Sequence, residues 1–260
     1  MPRTSRRKSR SGIYHIIWRG ANYQEIFHDD MDCFKFLNTV KKYQEASGLG
    51  VLAWCLMGNH IHLLVKEGEE TISVTMKRIG ISFVSYYNFK YATTGSLFQD
   101  RFKSYPVDSK RSLLSTVRYI HQNPLKAGIV KGVEEWRWSS CLGYYGKTIY
   151  PTNMLDCAYV FEMICEDVLA ARELFKEFNE MMADDDEVEV EGANFRRRLT
   201  DDEARRKIKK VLGEIEIVHV KSMERSQRNE LLRKVKEIKG VSQRQAARIL
   251  GVSQTLIGRV

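Results

Sequence analysis

Two apolar runs, Val51 to Met57 and Ile61 to Val65, are broken by Gly58-Asn59. Glycine and asparagine tolerate the left-handed backbone that a tight hairpin turn demands, so the pattern predicts two adjacent antiparallel strands. The second strand opens with His60-Ile61-His62. Side chains alternate along a strand, so both imidazoles share one face and Ile61 takes the other.

The flanking sequence supplies the remaining elements. Tyr14-His15-Ile16-Ile17-Trp18 is β-branched and aromatic and reads as a strand ending at Arg19-Gly20. Phe34, Leu37, Val40 and Tyr43 recur at helical spacing between about Asp30 and Ala46, and Ser47-Gly48 stops that pattern. Helical spacing returns from Ser73 to Phe89 through Met76, Ile79, Phe83, Val84 and Tyr87. Leu97 to Val107 fits a strand or an extended loop. Asp108 or Ser109 can cap a helix reaching about Gln122, with Pro124 ending it from beyond. The order strand, helix, hairpin, helix, strand, helix predicts an α+β domain, a split βαβ antiparallel sheet with helices on one face.

Charge divides the chain. Residues 1–150 hold 22 Lys and Arg against 12 Asp and Glu, residues 151–195 hold 2 against 13, and residues 196–260 hold 18 against 8. We therefore expect a basic arm over 1–11, a globular domain over 12–150, an acidic helical segment and linker over 151–195, and a basic helical region over 196–260. The arm reads as a tail. The acidic part predicts a helix from Asp156 to Met182 and a solvated run Asp184-Asp185-Asp186-Glu187. A net charge of +9 in a chain with no membrane-length apolar run and no signal-like N-terminus points to phosphates as partners and to the cytoplasm. The five scattered cysteines form no C-x-x-C pair and read as reduced, mostly buried thiols.

Near the C-terminus, Val241 to Leu250, Gly251-Val252 and Ser253 onward have the layout of a helix-turn-helix. Its second helix would enter a major groove, with Arg244 and Arg248 as DNA contacts.

Two histidines on a strand are more often ordinary polar residues than ligands. Here they interrupt an otherwise apolar strand pair, which favours half of a divalent cation site. Arg118-Tyr119-Ile120-His121-Gln122-Asn123-Pro124 offers partners, since Tyr119 and Asn123 stand one helical turn apart. Spacing alone does not single out Tyr119 among 12 tyrosines. Trp18, Trp54, Trp136 and Trp138 are candidates for stacking on unpaired bases, with core packing the commoner fate; Trp136-Arg137-Trp138 is the best placed of them.

The blocks Tyr14-His15 with Arg19-Gly20, Met57 to Val65, Phe98-Gln99-Asp100-Arg101-Phe102-Lys103-Ser104 and Tyr119 to Gly128 resemble, in order, those of the REP-associated tyrosine transposases. These are relatives of the smallest insertion-sequence transposases. The resemblance covers roughly residues 12–145. It implies a ferredoxin-like HUH domain, Mg²⁺ or Mn²⁺, a hairpin-forming single-stranded DNA substrate, a homodimer and association with the nucleoid. It also implies that His60 and His62 are metal ligands, that Tyr119 is the nucleophile forming a 5′-phosphotyrosine link, and that Asn123 stands where a polar third ligand is found. Arg19, Arg101, Lys103, Arg118, Trp136 and Arg137 are the remaining candidate DNA contacts, with duplex DNA falling to the C-terminal region. The rivals are a non-catalytic helix-turn-helix regulator built on a transposase-derived domain, and RNA processing on the same sheet.

Overall fold

Strand β1 (Ile13–Arg19) lies between two partners, and both pairings follow from its composition of Ile, Tyr and Trp, which suit a pleated, fully covered surface. The computed structural model describes residues 6–181, 201–238 and 240–260. After β1 come α1 (Asp30–Ser47), the hairpin of β2 (Gly50–Met57) and β3 (His60–Lys66), α2 (Ile72–Lys90), β4 (Lys103–Pro106) and α3 (Lys110–Lys126). The four strands form one antiparallel sheet in the order β2-β3-β1-β4. The boundaries of α1 and α3 have local causes. Asp29 and Asp32 form a reciprocal cap on α1, Gly48 ends it at φ 66°, and Ser109 with Ser112 caps α3 in the same way.

Helices α1 and α2 cover one face of the sheet, packing on Ile16, Trp18, Ile61, Leu63 and Val65. Helix α3 covers the opposite face, against Ile13, Ala53, Cys55 and Leu64. The expectation of helices on one face is therefore corrected. The cause is visible in β2, where Val51 to Met57 are all buried: a strand apolar at every position needs cover on both sides.

Three further expectations change. Helix α3 continues through Pro124 to Lys126 instead of ending near Gln122. Proline removes one N–H, but in the last turn that loss is small, because Ala127 N–H still donates to Asn123 O (3.0 Å); Gly128, at φ 69°, makes the actual stop. The single helix over Asp156–Met182 is two, α5 (Ala158–Phe161) and α6 (Val168–Glu180), after the short α4 (Cys141–Tyr144); Asp167 starts α6 anew by accepting from Ala170 N–H (2.7 Å). The arm is not a free tail from Arg6 onward. Arg6 stacks 3.9 Å over the Phe102 ring, and Asp108 accepts from the backbone N–H of Arg10 and Ser11 (2.8 and 3.1 Å). The run Asp184 to Glu187 and the expected boundary at 195 lie outside the described residues.

Helix α6 packs on α3 through a buried polar network. Asn179 Oδ1 accepts from His121 Nδ1 (3.1 Å), and Asn179 Nδ2 donates to the Tyr145 hydroxyl (2.9 Å). His121 Nε2 meets Ser140 Oγ (2.8 Å), and Gln122 Nε2 donates to the carbonyls of Asn179 and Met181 (2.8 and 2.9 Å). The outer side of β2 is engaged by residues 136–156: Leu56 N–H donates to Trp138 O (2.9 Å), Ser140 N–H to Trp54 O (3.0 Å) and Asp156 N–H to Val51 O (2.9 Å).

The C-terminal part has its own core, formed by α7 (Asp201–Leu212), a 3-10 segment (Ile217–Ser222), α8 (Arg225–Lys236), α9 (Gln243–Leu250) and α10 (Gln254–Arg259). Gly251, at φ 66°, turns the chain between α9 and α10, and Ser242 and Ser253 cap them. No helix of the described residues is long and apolar enough to cross a membrane.

Asp32 is fully buried and accepts from Lys90 Nζ (2.7 Å), the Tyr91 hydroxyl (2.6 Å), the Tyr86 hydroxyl (3.1 Å) and His28 N–H (2.8 Å), joining α1 to the end of α2. Replacing Asp32 by Ala leaves these donors without their acceptor, and we expect a loss of about 3 kcal/mol in unfolding free energy. Urea denaturation of the two proteins measures it; an unchanged midpoint would show that the cluster adds nothing to stability.

Candidate active site

The face under α3 holds the polar groups that interrupt the sheet. In β3, His60 and His62 point to that face. The register of β1 sets Arg19 opposite His60 and Ile17 opposite His62, with His15 one step further along. His15 Nε2 lies 2.9 Å from His62 Nδ1, and the two rings stack with centroids 5.2 Å apart. The other nitrogen of His62, Nε2, is buried and has no hydrogen-bond partner. His60, partly exposed at the rim, meets Asn59 Oδ1 through Nδ1 (2.7 Å) and Asn123 Oδ1 through Nε2 (3.2 Å).

Helix α3 brings Tyr119 over this group. Its ring centroid is 5.6 Å from that of His62 and 5.8 Å from that of His15. Asn123, one turn on, stands on the same face of the helix as Tyr119, and its Oδ1 meets His60 Nε2 (3.2 Å). Lys126, a further turn on, sets its ammonium 5.6 Å over the Tyr119 ring. The helix must run through Pro124 for Lys126 to share that face.

Burial dominates the electrostatics. It pushes His15 down to about 3 and His60 down to about 4, the latter despite the Asn123 hydrogen bond, and holds His62 well below its usual range. All three rings are neutral at pH 7 and keep a lone pair for a Lewis acid. Burial also raises the Tyr119 phenol, against the opposing pull of Asn123 and the positive charge of Arg19. Among the described residues, no three His, Cys, Asp or Glu side chains are grouped to hold a metal ion. The donors converging here are two imidazoles and one amide oxygen. Such nitrogen and oxygen donors suit a divalent cation, and the unpartnered His62 Nε2 fits one.

The other sequence candidates separate by position. Lys103, exposed, stands opposite Ile17 in β4 and so lies on the same face, with Arg101 exposed in the preceding turn. Arg118 faces away, its guanidinium 4.1 Å over the ring of Phe178. Trp136 and Arg137 sit beyond β2, where Trp136 Nε1 donates to Leu56 O (3.0 Å) and Arg137 pairs with Asp30 (2.7 Å). Trp18, Trp54 and Trp138 are buried in the core. Arg244 is exposed on α9; Arg248, also on α9, pairs with Asp201, and its charge is felt at His60. Tyr86 and Tyr91 bind Asp32, Tyr87 binds His28, and Tyr144 is buried between α3 and α6, all away from the histidines. Three residues absent from the sequence reading of the site join it: His15, Lys126 and Tyr105, whose ring lies 6.2 Å from that of His15.

The family model described as transposase IS200-like matches residues 8–123. That match spans less than half of the chain. The matched stretch contains every residue of the cluster except Lys126. Among curated relatives, a REP-associated tyrosine transposase of Escherichia coli is 27% identical over 103 residues, covering 39% of this chain and 59% of that protein. A Haemophilus influenzae protein that bears the same name provisionally is 26% identical over 131 residues, covering 46% of this chain and 74% of its own length. A solved structure of a REP-associated tyrosine transposase bound to a REP hairpin is similar at a TM-score of 0.49 and 21% identity, covering 58% of this chain and 89% of that one. These relatives carry the name of an enzyme class that nicks and transfers DNA strands.

The buried neutral histidines make stability depend on pH. Folded His15 titrates at about 3 and His121 at about 4, below the unfolded value near 6.5, so between these pH values the unfolded chain binds more protons. Stability is full above pH 6.5 and falls as pH drops towards 4, by about 1.4 kcal/mol per pH unit for each such histidine. Denaturation midpoints at pH 7 and pH 5 should differ in this direction, and His121→Gln should reduce the slope.

Proposed function

We propose that this protein nicks and rejoins single-stranded DNA beside a hairpin, with Tyr119 as nucleophile. The observation that carries the reading is the convergence of two helix residues on the two histidines of β3: the Tyr119 ring stands 5.6 Å from that of His62, and Asn123, one turn on, reaches His60 (3.2 Å). The order β1-α1-β2-β3-α2-β4 with its antiparallel sheet supports a ferredoxin-like HUH domain. The capped pair α9 and α10 across Gly251 supports a helix-turn-helix in the C-terminal bundle.

His60 and His62, with Asn123 Oδ1, would hold Mg²⁺ or Mn²⁺. A divalent cation there supplies positive charge to a non-bridging oxygen of the scissile phosphate. The protein's own residues do the rest. His15 fixes the tautomer of His62: with the Nδ1 proton donated to His15 Nε2, the unpartnered Nε2 keeps its lone pair. Arg19 and Lys126 place positive charge beside Tyr119, which favours the phenolate over the buried phenol. Tyr119 Oη bonds to phosphorus, the bond from phosphorus to the 3′-oxygen breaks, and the proton lost by the phenol is balanced by the one gained at the new 3′-hydroxyl. The 5′-phosphotyrosine ester conserves the phosphodiester energy, so a second 3′-hydroxyl reverses the step without ATP. Lys103 and Arg101, exposed at the β4 side, suit contacts to the entering strand.

Tyr119→Phe removes one oxygen and keeps the ring. The wild type should form a denaturant-resistant adduct with hairpin DNA in Mg²⁺, and the variant none, while both shift the hairpin in a binding assay. An undiminished adduct in Tyr119→Phe would transfer the role to Tyr105, and the absence of any adduct from the wild type would sink the reading.

His15→Ala should weaken Mn²⁺ binding roughly 10- to 100-fold, as loss of a group orienting a ligand does. A Mn²⁺ titration followed by electron paramagnetic resonance reads this without reference to cleavage.

A further inference from the structure

The C-terminal bundle is docked on the segment between β1 and α1. Arg205 of α7 pairs with Glu25 (2.5 Å) and lies 3.2 Å from His28 Nδ1. Lys221 reaches Gln24 Oε1 (3.5 Å) and stands 5.6 Å over the Tyr87 ring. Gly251, in the turn after α9, approaches Gln24 so closely that a Cβ there would meet Gln24 Oε1 at 2.7 Å. Gln24 is buried, although it is polar and lies in a loop.

The docked-on segment is fastened to the hairpin turn. Gly20 N–H donates to Asn59 O (2.9 Å) and Ile26 N–H to Gly58 O (2.7 Å), so residues 20–26 and the start of β3 move together. Within the same segment, Gly20 comes so near the Gln24 carbonyl that a Cβ would meet it at 2.1 Å, and Asn22 and Tyr23 hold φ of 53° and 61°. The loop is thus fixed in one shape. It seats α9 against residues 21–23, just past the Arg19 end of β1. The region carrying α9 is strongly basic, with 18 Lys and Arg against 8 Asp and Glu over residues 196–260.

We propose that α9 and the Arg19 end of the catalytic face form one continuous DNA surface, held together by the Glu25–Arg205 contact, so that a single hairpin is gripped by its stem phosphates at α9 while its flanking single strand enters the site at His60 and His62. This rests on the nicking reading for the second half alone. Arg248 is the residue that would exchange partners. Its pairing with Asp201 is half exposed, and such pairs contribute little, so a phosphate can replace the carboxylate at small cost.

Charge reversal at the contact separates docking from simple attraction. Glu25→Arg adds positive charge, and attraction alone would tighten DNA binding. If the contact aligns the two halves, Glu25→Arg should instead weaken binding of a hairpin with a single-stranded flank by roughly tenfold and flatten its salt dependence by at least about one phosphate contact. Glu25→Arg combined with Arg205→Glu restores the pair with the net charge of the wild type, and should recover both affinity and slope. Arg248→Ala should lower the salt slope by about one. Adduct formation by Glu25→Arg on a short single strand, saturating and lacking a stem, should stay at the wild-type level. Wild-type or tighter hairpin affinity in Glu25→Arg, or failure of the double variant to recover, would overturn the proposal. A wild type that binds the hairpin but never forms an adduct would overturn the nicking reading, while the affinity comparison would still decide this one.

Discussion

The antiparallel register of β1 on β3 is the constraint from which the site follows. It places Arg19 opposite His60 and brings His15 diagonally within reach of His62, and it does so because the alternating residues Ile16, Trp18, Ile61 and Leu63 must reach the other face, under α1 and α2. A slip of one residue would exchange the two faces, burying imidazoles among phenylalanines. The chemistry of one face is therefore fixed by the packing of the other.

The second requirement is a helix held at the right height over that face. Tyr119 and Asn123 reach the histidines only because α3 is clamped from behind by α6, through His121, Gln122 and Asn179. Those contacts are hydrogen bonds in a dry interior, where directional geometry resists sliding better than apolar contact does. The acidic segment contributes α6 to the same core as α3 and is structurally part of the domain that carries the histidines.

Much of this was legible in residues 51–65. Strand periodicity put His60 and His62 together without any knowledge of the third dimension, and the i, i+4 spacing did the same for Tyr119 and Asn123. His15 was not legible as a neighbour of His62, because pairing between strands separated by α1 is decided by tertiary packing rather than by local pattern. Lys126 was hidden by Pro124, which a local rule reads as a helix end. Arg118 shows a different failure. Adjacent helical residues diverge by about 100°, so Arg118 and Tyr119 could not both face the site, and the spacing rule that selected one already excluded the other. The Glu25–Arg205 contact spans 180 positions of chain and left no sequence signal.

The covering of β2 by residues 136–156 has a consequence for assembly. Leu56, Trp54, Val51 and, through the Tyr144 hydroxyl, Leu52 all spend their outward backbone groups within the chain. A second copy or a foreign peptide cannot lengthen the sheet by adding a strand on that border, the usual route by which open sheets recruit one another or aggregate. Any self-association must use side-chain surfaces or the short opposite border at β4, whose Lys103 and Tyr105 are exposed. Growth of the sheet at that border would take place beside the entrance to the histidine face, so that assembly and access of a DNA strand would compete for the same ground.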